Sequence, residues 1–208
     1  MFHVKYGGLR MRKFMAAIFM VSTVFFLSLP IASAEVPVPD DIYKWVQSSP
    51  RANYYFNMAQ MCFEVDKDGM IDQNILLVPT VKTYDPLQVK DVQDKRRWKD
   101  LDMTGYDDFA GVAEYLRIDL GKKIITETEI TDLDSTGTSL ETRTLSRSWE
   151  LAKLSEKNLD RIFYEAIIDY AAKHKDELVK RTKGTVKPED KADVKGKKNH
   201  KSRSSKDN

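Results

Sequence analysis

The sequence predicts an α+β fold: an antiparallel β-sheet of about six strands with a C-terminal amphipathic helix packed on one face. Two stretches carry that prediction. From Leu116 to Leu145, apolar and polar residues alternate through three runs, which is the period of strands with one wet face. From Leu159 to Ala171, apolar residues recur at three- and four-residue spacing instead, the period of a helix with one dry face. An isolated helix of that length is marginal in water, so the sheet is its natural partner.

Taken in order, Glu35 to Pro39 is an extended lead stiffened by Pro37 and Pro39. Ile42 to Val46 is rich in β-formers, Ser48 to Arg51 is a turn around Pro50, and Tyr54-Tyr55-Phe56 resumes the strand pattern, so the two runs pair as a hairpin. Met61 to Val65 and Ile71 to Tyr84 flank Asp66-Lys67-Asp68-Gly69. Aspartate suits turn geometry and glycine adopts positive φ without strain, which predicts a second hairpin. Pro79 has no ladder donor, so its run is expected to be an edge or bulged strand. Gln88 to Val92 fits strand or helix equally. The meander then turns at Gly121-Lys122-Lys123 and again over Asp134 to Gly137.

Ser155 is placed to cap the helix. Leu159, Ile162, Phe163, Ala166, Ile167, Tyr170 and Ala171 form its apolar stripe, with Glu156, Asp160, Arg161, Glu165, Asp169 and Lys173 opposite. From Lys183 the chain becomes Lys, Asp, Ser and Asn without an aromatic. It has too little to bury to offset its ordering entropy, and 183–208 is expected to be a disordered basic tail.

The net charge of +2 hides three unlike segments. Residues 1–34 carry four basic groups and no acid, and 183–208 carry nine basic and four acidic groups. That leaves 21 basic against 28 acidic in 35–182, a domain of net charge −7. A body of that sign is not expected to grip nucleic acid.

The N-terminus has the layout of a secretory signal. Lys5, Arg10, Arg12 and Lys13 precede the apolar stretch Phe14 to Leu29, Pro30 ends it, and Ala32-Ser33-Ala34 supplies small residues before Glu35. Phe14 to Ala34 is also long enough to span a bilayer as an uncleaved anchor. The proline and the small residues favour cleavage after Ala34, which makes the mature chain an exported one, periplasmic or at the cell surface, and not an integral membrane protein. Asn-X-Ser/Thr sequons are absent from the sequence, which favours a bacterial envelope over a glycosylating secretory pathway. Cys62 is the single cysteine, so an internal disulfide is excluded and the core alone holds the domain.

The same inventory bears on chemistry. The histidines are His3, His174 and His200, too few in the body for a Ser-His-Asp triad or a His-based zinc site. Cys62 reads as an inert strand thiol. Glu64, Asp66, Asp68 and Asp72 fall at the first, third, fifth and ninth positions of a calcium loop, with Gly69 at the sixth, but Ile75 stands where the closing glutamate belongs. A hairpin turn is preferred there, and no metal or cofactor is expected. Asp132 to Gly137 fails the same test, with Arg143 at the closing position. The body glycines are scattered, so no phosphate-cradling loop is present. Counting carboxylates places no glycosidase pair. The expectation is a protein without enzymatic activity.

Lys95 to Lys99 is the densest basic cluster of the body, and Arg96, Arg97 and Trp98 are its candidate binding residues. An arginine beside a tryptophan can stack on a ring or meet an anionic group. The competing reading is a structural tryptophan among solvated charges, since Asp91, Asp94, Asp100 and Asp102 nearly cancel the local charge.

Trp45, the Tyr54-Tyr55-Phe56 strand, Glu114 to Asp119, the turn at Asp134 to Gly137, Trp149 and Phe163 to Ala166 follow one another in an order that resembles the surface-adhesin protein E type of exported bacterial domain. Those domains often carry a cysteine where this chain has Leu120. The resemblance implies an antiparallel sheet closed by a helix, and a surface-exposed role in binding host or matrix proteins, with no catalytic residues. The expected function is therefore an exported, non-enzymatic binding protein. Two alternatives stand beside it: an envelope protein held to anionic polymer or lipid by its tail, and a small carboxylate-dependent hydrolase. A flat sheet face exposing Tyr, Trp and Arg would favour the first, and a deep cleft lined by perturbed acids the last.

Overall fold

The computed structural model describes residues 36–187; the expected signal segment, 1–34, and all but the first residues of the expected tail lie outside the described residues. Among the described residues, eight strands form one sheet: Tyr43–Ser48 (β1), Ala52–Asn57 (β2), Cys62–Val65 (β3), Met70–Tyr84 (β4), Phe109–Asp119 (β5), Ile124–Asp134 (β6), Ser139–Glu150 (β7) and Thr185–Val186 (β8). The main order is β1-β2-β4-β5-β6-β7, with β3 and β8 also paired to β4. All pairings are antiparallel except the two-residue pairing of β8 with β4. The sheet thus has more strands than the six expected, because the long β4 offers room for two short strands on one side, β2 and then β3.

The expected hairpins form where turn chemistry put them. Gly69 and Gly137 take φ of +76° and +83°. Asp66 closes its turn by accepting from the amides of Asp68 and Met70, and Asp134 does the same for Thr136 and Thr138. Pro79 departs from expectation. It lies in the central strand β4, opposite Tyr115 of β5, but on the other side β2 stops at Thr80 and β3 begins at Leu77. The gap between two short neighbours admits a proline in the middle of a sheet, where one continuous neighbour would not.

Among the described residues, three helices accompany the sheet: Pro86–Trp98 (α1), Leu159–Lys173 (α2) and Lys175–Arg181 (α3). The undecided stretch around Gln88 is helical, capped by Asp85 and started by Pro86. The cap of α2 is Asn158, whose side chain accepts from the amides of Asp160 and Arg161; Ser155 does not cap it. Nor does α2 end the fold, since α3 and β8 follow it. Residues 183–187 fall within the expected tail, yet the Thr185 amide donates to Gly69 O at 2.9 Å and Lys187 sits 3.6 Å from Asp66. The boundary at 183 is too early.

All three helices pack on the same side of the sheet. Beneath α2 and α3, the main core gathers Phe56, Phe63, Leu76, Val78, Leu116, Ile118 and Ile125 with Phe163, Ile167 and Leu178. Ring contacts lock α2 onto β2, Tyr54 to Phe163 at 5.5 Å and Phe56 to Tyr170 at 5.1 Å, both edge-on. The helix is rotated from the expected stripe: Phe163, Tyr164, Ile167 and Ala171 face inward, while Leu159 and Ile162 are about two-fifths exposed on its flank. Beneath α1, a second cluster joins Tyr106, Phe109 and Val112 to Tyr84, Val89 and Val92. The outer strands are irregular. The register slips within β1 at Trp45/Gln47, between Phe63 and Glu64 of β3, and twice along β7.

Candidate binding surface

The basic cluster that the sequence singles out is divided by the fold. Arg96 is buried: its guanidinium lies 3.6 Å from the Tyr106 ring centroid, 2.6 Å from Glu141 Oε2 and 2.7 Å from Asp102 O. It anchors α1 to the sheet. Arg97 is at the surface, where Asp94 accepts from it at 3.0 Å. Trp98 is 83% exposed at the end of α1. Of the three, Arg96 is therefore withdrawn from the surface, while Arg97 and Trp98 stay exposed.

A second polar group lies on the helix-bearing face. Tyr54 and Lys82 are direct cross-strand partners, as are Thr80 and Glu114. Lys82 Nζ donates to Glu114 Oε1 at 2.9 Å and lies 3.9 Å from Asp160 at the start of α2. Glu127 is fully covered and pairs with Arg147 at 2.6 Å. Burial, and then repulsion from Glu114, pushes the Glu127 carboxyl above the ordinary range, with Arg147 opposing. Burial works against the Lys82 ammonium, but Glu114 outweighs it and keeps the charge in place. The tyrosines Tyr84 and Tyr164 are held neutral by burial. Here the charges are matched pairwise, which is what tying a helix N-terminus to a sheet demands.

A shallow cavity of about 330 Å³ lies at the far end of α2, between Phe63, Leu120, Ile168, Ala171 and Lys175. Neither a carboxylate nor an imidazole is in its lining. Among the described residues, no group of three or more His, Cys, Asp or Glu is arranged to hold a metal, and no helix is long and apolar enough to cross a membrane. His174 stacks on Tyr170 and meets Glu177, apart from Cys62, whose thiol burial pushes up.

Among the described residues, no helix lies on the opposite face of the sheet. Alternation places Leu77, Pro79 and Val81 of β4 on this side, and their cross-strand partners with them: Arg117, Tyr115 and Ala113 on β5. Tyr55 continues the Val81 row onto β2, and Trp45 continues it onto β1. One end is covered by the N-terminal segment, where Val36 packs with Val81, Ala110 and Leu133. The rest is open. Trp45 is 54% exposed and Tyr115 37%, with Leu77, Pro79 and Tyr55 half-buried between them.

The family models, the curated proteins and the solved structures compared with this chain contain no match to it.

The open face is built rigidly. The Trp45 indole donates to Ser48 Oγ at 3.3 Å, Ser48 donates to Asn53 Oδ1 at 2.5 Å, and Asn53 reaches Thr83 at 3.3 Å. Arg117 is held by Glu64 through two parallel bonds of 2.9 and 2.8 Å. Aromatic and arginine side chains fixed before contact lose little entropy on binding, which is the composition of an interface centre. Sequence reading had no way to rank these residues above the other strand aromatics. Their exposure follows from which face the helices cover, and only β1 and β2 carry a local hint, in aromatics lying on both sides of the alternation.

Proposed function

We propose that the chain is an exported bacterial protein that binds another protein through the open face of its sheet, in the manner of a surface adhesin, and carries no enzymatic activity. The observation that supports it is the exposed Trp45 indole, fixed in place by Ser48 and Asn53 and followed across the sheet by Tyr55, Pro79, Tyr115 and Arg117. Export is supported by the charged, apolar and small-residue sequence of the first 34 residues. A protein partner suits this patch because its centre has aromatic and proline side chains and no lysine, with its one arginine neutralised by Glu64.

Site-specific photo-crosslinking in the producing cell and on its host surface tests the reading. A crosslinker at Tyr115 is expected to capture one discrete protein, a crosslinker at Glu165 on the helix side is expected not to, and Trp45→Ala is expected to abolish the capture without lowering the melting temperature. Equal capture from both sides, or capture that survives Trp45→Ala, would refute it.

A further inference from the structure

The C-terminal end of α1 carries the most exposed large apolar side chain among the described residues, Trp98. It lies on the helix strip opposite Val89, Val92 and Arg96, which face the sheet, so it points away from the core. Leu101 follows it, 47% exposed. Between the two the chain reverses at Asp100, which takes φ of +51°. The Asp100 amide donates to Arg97 O and the Leu101 amide to Arg96 O, both at 3.1 Å. In such a turn an apolar residue at the place of Leu101 commonly packs back on the last helical turn. The helix positions it would meet are Arg96 and Lys95, and Leu101 stays outside. The loop is fixed from below: the Arg96 guanidinium donates twice to Asp102 O, at 3.2 and 2.7 Å, and the Asp102 carboxylate accepts from the amide and hydroxyl of Thr104 at 2.9 and 2.8 Å. Two apolar side chains are thus held out in water by a turn with little freedom.

We propose that this tip is a lipid-docking site, at which Trp98 and Leu101 enter the headgroup region of a zwitterionic phospholipid surface and hold the protein there weakly and reversibly. An indole offers a large apolar area with one polar N–H, and lysine stems cover apolar surface while their ammonium groups stay in water, so tryptophan among lysines is suited to a membrane interface. The centre of a protein–protein interface is poor in lysine, which sets this tip apart from the open face of the sheet. Charge selects the lipid. Lys90, Lys95, Arg97 and Lys99 stand against Asp94, Asp100 and Asp102, a nearly even mixture that matches a headgroup bearing both a phosphate and an ammonium. The domain's net charge of −7 opposes a strongly anionic surface. Contact is by the helix end and not along its length, because the outward strip from Leu87 to Trp98 contains Asp91 and Asp94, ion-paired with Arg51, Lys90 and Arg97. As α1 packs on the helix-bearing side of the sheet, docking through its end leaves the open face clear.

The expected mature chain, Glu35–Asn208, contains every residue of the three core clusters and is the form to test. It is mixed with phosphatidylcholine vesicles, whose zero net charge removes any pull on the basic residues after Lys187. Binding is followed by co-sedimentation and by quenching of tryptophan fluorescence with lipids brominated on their acyl chains. The wild type is expected to bind, to be quenched and to be indifferent to added salt. Trp98→Ala is expected to lower the partition coefficient about tenfold at an unchanged melting temperature, and Leu101→Ala to lower it by a smaller factor. Leu159→Ala, on the flank of α2, is expected to leave it as it is. Absence of binding, binding that survives Trp98→Ala, or an equal loss with Leu159→Ala would overturn the proposal. So would binding confined to phosphatidylglycerol vesicles and abolished by salt, which would assign the attachment to basic groups elsewhere on the chain.

Discussion

Replacing Arg96 by methionine is expected to destabilise the domain far more than the same change at Arg97, although the two are neighbours in one basic run. The Arg96 side chain is almost fully covered, and so is Asp132, 3.8 Å away. Its loss removes the 2.6 Å bond to Glu141, both bonds to the Asp102 carbonyl and the stacking on Tyr106. Truncating one partner of a buried ion pair costs about 3–5 kcal/mol. The lower end applies here. Asp132 keeps Arg143 at 2.8 Å and the Tyr106 hydroxyl at 2.6 Å, and Glu141 keeps Arg143 at 3.1 Å, so neither carboxylate is stranded. The expected loss is about 3 kcal/mol. Arg97→Met breaks an exposed pair with Asp94 and is expected to cost under about 0.5 kcal/mol. With a urea slope on the order of 2 kcal/mol/M, the midpoints should fall by about 1.5 M and under about 0.3 M respectively. Midpoints within about 0.3 M of each other at equal slope would refute the anchoring role of Arg96.

Phe163→Ala, in the centre of the main core against Tyr54, is expected to cost about 3–5 kcal/mol, and Ile162→Ala, on the exposed flank, under about 1 kcal/mol; chemical denaturation of the pair checks it. Glu127 holds its proton to higher pH in the folded chain than in the unfolded one, so its contribution to stability is present below the ordinary glutamate value of 4.5 and is lost as pH rises through the folded value. Glu127→Gln removes that loss, and the stability difference between variant and wild type should move in the variant's favour between pH 4 and pH 7; a difference independent of pH would count against it. Truncation after Thr182 removes β8 and the Lys187–Asp66 pair and is expected to lower the melting temperature, whereas truncation after Lys187 is expected to leave it unchanged.

Much of the sheet was legible because its signal is local. The hairpins at Ser48–Arg51 and Asp66–Gly69 and the meander from β5 to β7 follow from alternation broken by turn-forming residues. The helix α1 was not legible. Its inward side carries Val89 and Val92 but also Arg96, and hydropathy counts a guanidinium as outward-facing whatever it later pairs with. The choice of Ser155 as a cap failed because Asn158, three residues later, makes two amide bonds and starts the helix there. Pro79 misled for a related reason. The gap between β2 and β3 that accommodates it is a property of three strands together. The open face was the least legible feature of all, since Trp45, Tyr55 and Tyr115 become a surface only when every helix has gone to the other side.

The slipped registers in β1, β3 and β7 bear on how copies of this protein behave when crowded. A straight outer strand is a template on which a neighbouring molecule can continue the ladder, and the process has no natural end. Here β1 carries one extra residue, Val46, and β7 has extra residues at two places, while the pairing of β3 skips residues 73–75 of β4; β7 also presents Arg143 and Arg147. Growth of that kind is blocked after the first contact. Crowded molecules are therefore expected to remain individual, and fibrils are the expected outcome of mutations that straighten β7, even ones that leave the monomer more stable.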